Sequence, residues 1–453
     1  MSLPRLLLAG THSGCGKTTV TCALLQALKD RGLPVAAFKC GPDYLDPLFH
    51  REIIGAKSAN LDLFFFSPDT ARQALARQSA GCAVSLLEGV MGFYDGLGLT
   101  SPRASSYDLA RVTETPVVLV VNARGASLSL LAQIHGFLGL FPDPQIRGVL
   151  LNQCAPTTYE ALAPAIRSRF GGAVRPLGFL PPLPQCRLDS RHLGLVPAGE
   201  VAGLPEKLRT LARQAEKTVD LDGLLALARQ APPLPPPPPP APPGERVRIA
   251  VAQDAAFCFR YPDSLAVLEE LGAELVPFSP LAHRQLPEPI HGLYLCGGYP
   301  ELHAQALSEN VSLRRQIRAA LTDGLPCVAE CGGFLYLTQA IGPHPMVGLL
   351  PGTCFDTGRL TRFGYVTLRA KADNLLCRAG ETLPAHEFHH WDCTCPGEAF
   401  TAAKPSGRQW DCVVATDTLY AGFPHLHFRA SPAAAARFYH ACRKEKHRHA
   451  GTS

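Results

Sequence analysis

The chain reads as an α/β protein built of two parallel-sheet units, and three observations carry that expectation. Short apolar strands alternate with helical periodicity, several strands empty into loops rich in glycine or charge, and ten prolines fall within the thirteen residues Ala231 to Pro243. Alternating strand and helix is the pattern of a doubly wound parallel sheet, whose ligands gather at the carboxyl ends of the strands. At 453 residues, 46% of them hydrophobic, the chain has material for more than one core.

The first strand, Leu6 to Ala9, opens into GTHSGCGKTT, Gly10 to Thr19. A helical pattern follows from Thr18 to Arg31, with Val20, Leu24, Leu25 and Leu28 on one face. Strand, glycine loop and helix make a phosphate cradle: glycines let backbone N–H groups turn inward, and the helix N-terminus adds partial positive charge. Gly10, Gly14, Gly16, Lys17, Thr18 and Thr19 are the candidate nucleotide-binding residues. Lys17 is expected at the terminal phosphates and the Thr18 hydroxyl at Mg²⁺. The loop holds five residues between Gly10 and Gly16, one more than the simple phosphate-loop pattern.

The second strand, Val35 to Phe38, ends in KCGPDYLDP, which puts Lys39, Asp43 and Asp46 at the sheet edge. Asp43 and Asp46 are candidates for Mg²⁺ or substrate, although acids in such loops also serve as turn formers. The third strand, Ala83 to Leu87, runs into EGVMGFYDG, where Glu88 is the stronger candidate for a second Mg²⁺ contact and Asp95 the weaker. Strands Val117 to Val121 and Gly148 to Leu151 follow, with helical patterns at Asp69 to Ser79 and Ser127 to Phe137. Asn152, at a strand tip, is placed either to read a nucleotide base or to cap a helix. The unit winds down through Gly178 to Pro184, RHLGL at Arg191 to Leu195, and a helical stretch from Leu204 to Arg229.

The proline run packs as neither helix nor sheet; it is expected to be an extended polyproline spacer of about 40 Å. Beyond it come a strand Arg248 to Ala252, a helix Asp263 to Leu271, and strands Glu274 to Phe278 and Gly292 to Leu295. A helix Leu302 to Thr322 and a strand Pro326 to Ala329 complete the series. The last strand ends in ECGGFLYL. A cysteine at a sharp strand-to-helix turn before two glycines is a nucleophile elbow, and the helix N-terminus is expected to lower its thiol pKa. Cys331 is therefore the candidate nucleophile, although a cysteine before glycines, seen alone, is more often a buried structural thiol. Gly297, Gly298 and the Gly332 N–H are the candidate oxyanion hole. The base is expected from His425 or His427 in GFPHLHF, after strand-like Val413 to Thr416 and Thr418 to Ala421. HEFHHW, His386 to Trp391, is a third histidine group without a metal-ligand pattern.

A net charge of +5, with Lys and Arg scattered, argues against a nucleic-acid groove and suits an acidic small molecule. No run reaches the roughly 18 apolar residues of a membrane span, and no export signal opens the chain, so a cytoplasmic protein is expected. The sixteen cysteines are dispersed and read as reduced thiols. Cys377, Cys393, Cys395 and Cys412 lack the paired spacing of a metal cluster.

Eight motifs in one order, GTHSGCGKTT, KCGPDYLDP, LLEGVMGFYDG, RHLGLVP, CGGYPELHA, AECGGFLYL, HEFHHW and GFPHLHF, resemble the cobyrinate a,c-diamide synthase family of glutamine-dependent amidotransferases. Residues 1–229 resemble the dethiobiotin-synthetase-like branch of phosphate-loop proteins, and 245–445 a class I glutamine amidotransferase, with 230–244 as linker and 446–453 as a basic tail. The resemblance implies ATP and Mg²⁺ as cofactors and a cobyrinate-type tetrapyrrole acid and L-glutamine as partners. It also implies a substrate or acyl-phosphate site of Lys39, Tyr44, Asp46 and Asp95, and ammonia passing from Cys331 to an ATP-activated carboxylate. A homodimer is compatible. Two departures stand out: Asp254 to Phe257 reads DAAF where the family has a second acid, and neither His425 nor His427 is followed two residues on by the usual Glu. Rival readings are amidation of hydrogenobyrinate, Ni-sirohydrochlorin or other corrinoid side chains, use of free ammonia alone, and a partition-type ATPase with a non-catalytic sensor domain.

Overall fold

Strand β1 (Arg5–Gly10) is buried along its whole length, as the centre of a sheet covered on both faces must be. Around it the chain alternates helix and strand: α1 (Lys17–Asp30), β2 (Val35–Cys40), α2 (Leu45–Phe49), β3 (Lys57–Leu61), α3 (Pro68–Gln78), β4 (Val84–Glu88), α4 (Ser106–Val112) and β5 (Val117–Asn122). Then come α5 (Ser129–Gly139), β6 (Ile146–Asn152), α6 (Pro156–Phe170), β7 (Arg175–Leu180), α7 (Leu204–Thr218) and α8 (Leu221–Ala228). The seven strands lie in the order β3-β2-β4-β1-β5-β6-β7. All pair in parallel. The strand order reverses at β1, which puts the loop after β1 at the crevice where open α/β sheets take ligands.

The computed structural model describes residues 3–186, 203–239 and 242–450. It separates into two units, Met1–Pro238 and Pro239–Ser453. The RHLGLVP motif lies outside the described residues. The helical stretch expected from Leu204 to Arg229 is two helices. Asp220 breaks it by accepting a 2.8 Å bond from the Gly223 N–H as the cap of α8.

The proline run is anchored at its start and largely exposed beyond it among the described residues. Ala231 and Leu234 are buried while the prolines between them are exposed.

The second unit begins with β8 (Val247–Ala252), α9 (Pro262–Leu271), β9 (Ala273–Phe278), β10 (Gly292–Leu295), α10 (Ala304–Glu309), α11 (Val311–Thr322), β11 (Cys327–Glu330) and α12 (Gly332–Leu337). The single helix expected from Leu302 to Thr322 is broken at Asn310, whose side chain donates to the carbonyls of Pro280 and His283. Short strands β12 (Ala340–Ile341), β13 (His344–Pro345) and β14 (Thr353–Asp356) precede a long hairpin, β15 (Arg362–Ala370) and β16 (Thr382–His389). The chain closes with β17 (Trp391–Cys393), β18 (Phe400–Ala403), β19 (Gln409–Cys412), β20 (Val414–Ala415), β21 (Leu419–Gly422), β22 (His425–Leu426) and α13 (Pro432–Ala450). The central sheet runs β20-β21-β11-β10-β8-β9, and an antiparallel sheet runs β19-β18-β15-β16-β22. Lys446 and His447, assigned from sequence to a tail, belong to α13 and hold the Glu245 carboxylate. Among the described residues no helix is long and apolar enough to cross a membrane.

Candidate active sites

The loop after β1 closes tightly. A Cβ on Gly10 would stand 2.4 Å from Cys15 Sγ, and one on Gly16 would stand 1.9 Å from Asn152 Nδ2. Gly16 also takes φ +97°, a conformation that glycine adopts without strain. Asn152 donates to the Cys15 carbonyl at 2.9 Å. One N–H of its amide thus braces the loop, which leaves the second N–H and Oδ1 for the base contact expected from sequence. Lys17 heads α1; its ammonium donates to the carbonyls of Met91 and His12, and burial lowers its pKa. Gly14 and Thr19 lie along the same turn, Gly14 exposed and Thr19 half-buried.

Next to this loop the tips of β2 and β4 bring buried charges together, with Lys39 and Glu88 directly paired in register. Glu88 Oε1 accepts from the Thr18 hydroxyl at 2.6 Å and from Lys39 Nζ at 2.7 Å. Lys39 also pairs with Asp46. His50 begins a π-turn after α2, and its Nε2 lies 3.4 Å from Glu88 Oε2. Burial alone raises a carboxyl, but Lys39 and His50 outweigh it and hold Glu88 well below the usual carboxylate range. Burial opposes the charge on Lys39, yet Asp46 and Glu88 hold its ammonium above the ordinary value. Asp46 is the member that burial pushes up.

Tyr44, Asp46 and Lys39 are thus brought to one edge and buried. Asp43 and Asp95 are occupied locally: Asp43 Oδ1 accepts the Leu45 N–H at 2.9 Å, and Asp95 Oδ2 accepts the Gly92 N–H at 2.7 Å. The turn-forming use of these two acids accounts for both.

Among the described residues no three His, Cys, Asp or Glu side chains converge on a point that could hold a metal. Thr18 and Glu88 nevertheless offer a hydroxyl and a carboxylate, with Glu88 Oε2 buried and outside any hydrogen bond. This oxygen pair fits Mg²⁺, which keeps several waters and is held by few protein groups plus substrate phosphates.

In the second unit Cys331 joins β11 to α12 with φ +46° and ψ −103°. Such a conformation is strained for a residue with a Cβ and is typical of functional turns. The surrounding glycines make the turn possible. A Cβ on Gly333 would meet the Leu295 carbonyl at 2.1 Å, one on Gly298 the Ala256 carbonyl at 2.1 Å, and one on Gly332 the Gly298 nitrogen at 3.0 Å. Gly298 and Gly332, two of the expected oxyanion residues, are therefore in contact. The Cys331 N–H itself is committed to the Gly422 carbonyl at 2.7 Å. The expected lowering of the thiol pKa does not occur: burial pushes it up, with Glu301 adding to the rise, and the Gly332 N–H opposes them only partly. A six-residue helix does not offset that desolvation.

The two histidines separate. His425 packs on Gly297, whose Cβ would stand 2.4 Å from the ring Cε1, and its Nδ1 lies 3.7 Å from Glu330 Oε2. Glu330 immediately precedes Cys331, and its Oε1 accepts the Leu426 N–H at 3.1 Å. His427 instead stacks on Tyr261 at 4.8 Å and is held neutral, its pKa lowered to about 4 by burial. Asp254 of the DAAF stretch accepts from the backbone of Ala256, Phe257 and Leu281 and serves as a loop clasp. Sequence reasoning gave no role to Glu330, His50 or Glu301. The one signal for Glu330 was an acid directly before the candidate nucleophile.

Comparisons with known proteins agree with this division. Residues 6–196 match the CobQ/CobB/MinD/ParA nucleotide binding domain, and residues 248–433 match the CobB/CobQ-like glutamine amidotransferase domain. A cobyrinate a,c-diamide synthase of Caldanaerobacter subterraneus subsp. tengcongensis is 36% identical over 444 residues, covering 96% of this chain and 98% of its own. The protein of the same name from Clostridium acetobutylicum is 38% identical, covering 93% and 97%. That of Thermoplasma volcanium is 38% identical, covering 98% of each.

Proposed function

The chain belongs to the cobyrinate a,c-diamide synthase family, and from that premise we propose that it amidates the a and c acetate carboxylates of cobyrinate with ammonia taken from glutamine. It is a glutamine-dependent carbon–nitrogen ligase that carries a nucleotide-binding domain. Ammonia does not displace oxygen from a carboxylate unaided, so the carboxylate must first be activated. A substrate carboxylate oxygen attacks the γ-phosphorus of ATP, the bond to the β-phosphate oxygen breaks, and ADP leaves. The main-chain N–H groups of the Gly10 to Thr19 loop hold the phosphates, and Lys17 moves from its carbonyl contacts onto the developing charge. Thr18 and Glu88 would hold Mg²⁺, which when bound neutralises phosphate charge. Lys39, fixed between Asp46 and Glu88, keeps a positive charge at the acyl-phosphate site.

In the second unit Cys331 Sγ attacks the side-chain amide carbon of glutamine. His425, oriented by Glu330, accepts the thiol proton and passes it to the departing ammonia. Water then releases glutamate from the thioester. The free ammonia attacks the acyl phosphate, and phosphate leaves.

The strained Cys331 elbow, a cysteine held at a strand-to-helix turn between closely packed glycines, is the observation that supports the reading. The test is incubation with ATP, Mg²⁺ and glutamine plus cobyrinate, hydrogenobyrinate or Ni-sirohydrochlorin, with amidations counted by mass spectrometry. Two additions to cobyrinate support the proposal, and two additions to another of these acids alone reassign the substrate. Cys331→Ser should abolish the glutamine-dependent reaction and keep the ammonia-dependent one. ATP turnover indifferent to all three acids would overturn the reading.

A further inference from the structure

A cavity of about 220 Å³ opens in the second unit at the start of β15, between that strand and the β18–β19 turn. Arg362, Lys404, Arg408, Trp410, Leu360 and Phe363 line it. The turn is closed by the Lys404 N–H donating to the Arg408 carbonyl at 2.9 Å, which swings both cations to the same rim. The Arg362 guanidinium lies 4.2 Å from the centre of the Trp410 ring, and that of Arg408 lies 5.8 Å from it. Lys404 reaches the Phe363 carbonyl.

Among the described residues none of the three cations lies within 4.0 Å of a carboxylate. Asp411, beside Trp410 in sequence, is taken by Lys371 and Thr401. Glu387 is buried on the strand partner of Gly364 and faces Arg362 and Lys404 without forming an ion pair. Two guanidinium groups thus share the Trp410 ring with no carboxylate within ion-pair reach, and Lys404 stands at the same rim on the Phe363 carbonyl. Leu360 and Phe363 are 40% and 41% exposed at the rim, an apolar surface that a folded protein commonly reserves for a ligand or partner.

Cations arranged about an indole with an apolar lip suit a flat, apolar body carrying several carboxylates. Glutamine is a small zwitterion with no apolar body, and it has a site at Cys331. We propose that this cavity is a docking subsite of the amidotransferase unit for the tetrapyrrole acid, taking its peripheral carboxylates. The inference rests on the function proposed above for the chemical class of its ligand. In that role Arg408 and Lys404 take one carboxylate between them while Trp410 and Phe363 cover the edge of the macrocycle.

The test uses the full-length chain and two variants, Arg408→Glu and Lys404→Gln. Arg408 is exposed and its side chain makes no hydrogen bond, so its reversal leaves the folded framework intact. Cobyrinate is titrated into each protein and followed by its own absorption spectrum; KM for cobyrinate, ATP and glutamine is then measured. Losing one charge-assisted contact should weaken cobyrinate about tenfold or more in both Kd and KM, with more loss at high salt in the wild type. The KM values of ATP and glutamine should move less than about twofold. An unchanged Kd for cobyrinate in Arg408→Glu overturns the proposal, as does a shift confined to ATP, which would make this a nucleotide site. Wild-type protein that binds cobyrinate but never amidates it would sink the ligase reading while leaving the docking site standing.

Discussion

Asn152, at the end of β6, donates its side-chain amide to the carbonyl of Cys15 at 2.9 Å, although 137 positions separate the two residues. The distant strand thereby fixes the shape of the phosphate loop. It also decides which residue can stand at position 16, since the amide occupies the space a side chain would need.

Gly16→Ala should therefore damage nucleotide binding through the loop, with little effect on the fold. Its Cβ would fall 1.9 Å from Asn152 Nδ2, and φ +97° costs an alanine about 1–2 kcal/mol before any clash. ATP affinity should fall by at least about tenfold with the circular dichroism spectrum unchanged. Asn152→Ala relieves the clash, so the double variant should recover part of the loss. A double variant no better than Gly16→Ala would show that the two residues are not coupled.

Lys39→Met should destabilise the first unit, because it removes the cation that pairs with both buried acids, Asp46 and Glu88, and leaves His50 as the basic group in contact with Glu88. Removing one partner of a buried ion pair costs about 3–5 kcal/mol. Lys39→Met combined with Glu88→Gln should regain much of that stability, since only one acid then remains. Neither variant should retain ligase activity. Calorimetry separates the cases: equal melting temperatures for the single and double variants would refute the coupling of Lys39 to Glu88.

His425→Asn should remove glutaminase activity by a factor of about 10²–10⁴, the usual contribution of a general base. His427→Phe should act mainly through packing on Tyr261 and spare most of the turnover. Glu330→Gln should fall between them, since it orients His425 from 3.7 Å without touching substrate. Ammonia-dependent amidation should survive all three. A larger loss of glutaminase kcat in His427→Phe than in His425→Asn would reverse the assignment.

Much of this was readable in the sequence wherever a local pattern fixed the chemistry. The phosphate loop announced itself because glycine, lysine and threonine must follow a strand in a set order, and the sharp turn at Cys331 because two glycines follow a strand-ending cysteine, although such a cysteine alone is more often a structural thiol. The strand tips carrying Lys39 and Glu88 were legible for the same reason. Contacts made across the fold were not. Nothing near Asn152 says that it meets Cys15, and nothing in the sequence says that one oxygen each of Asp43 and Asp95 accepts a neighbouring backbone N–H. The thiol expectation failed because a helix N-terminus is visible in sequence while the depth of burial is not. Helix ends at Val219 and Asn310 were missed because capping groups and loop carbonyls from elsewhere, not local periodicity, ended those helices.

The second unit should lose stability in acid in two stages. Buried His386 and His389 are held neutral with pKa lowered to about 3, and His427 to about 4, from an ordinary 6.5, burial being the main cause in each. A depressed histidine favours the unfolded chain as pH falls from its unfolded value through its folded one, by up to about 1.4 kcal/mol per pH unit for each group. Glu301 and Glu387 work in the opposite sense. Burial raises them from 4.5 to about 7, so their stabilisation is full below 4.5 and fades as pH rises through 7. Between pH 6.5 and 4.5 the two glutamates offset only two of the three histidines, leaving a net loss of up to about 1.4 kcal/mol per pH unit, and below 4.5 the histidines act unopposed. Both tryptophans, Trp391 and Trp410, lie in this unit, so their fluorescence in urea reports on it alone. The urea midpoint should decline gently from pH 6.5 to 4.5 and then drop more steeply. Glu387→Gln should steepen the decline within the 4.5 to 6.5 window, and His386→Phe should make the drop below 4.5 shallower. A midpoint that falls uniformly across the whole range in all three proteins would show that these buried groups do not set the acid limit.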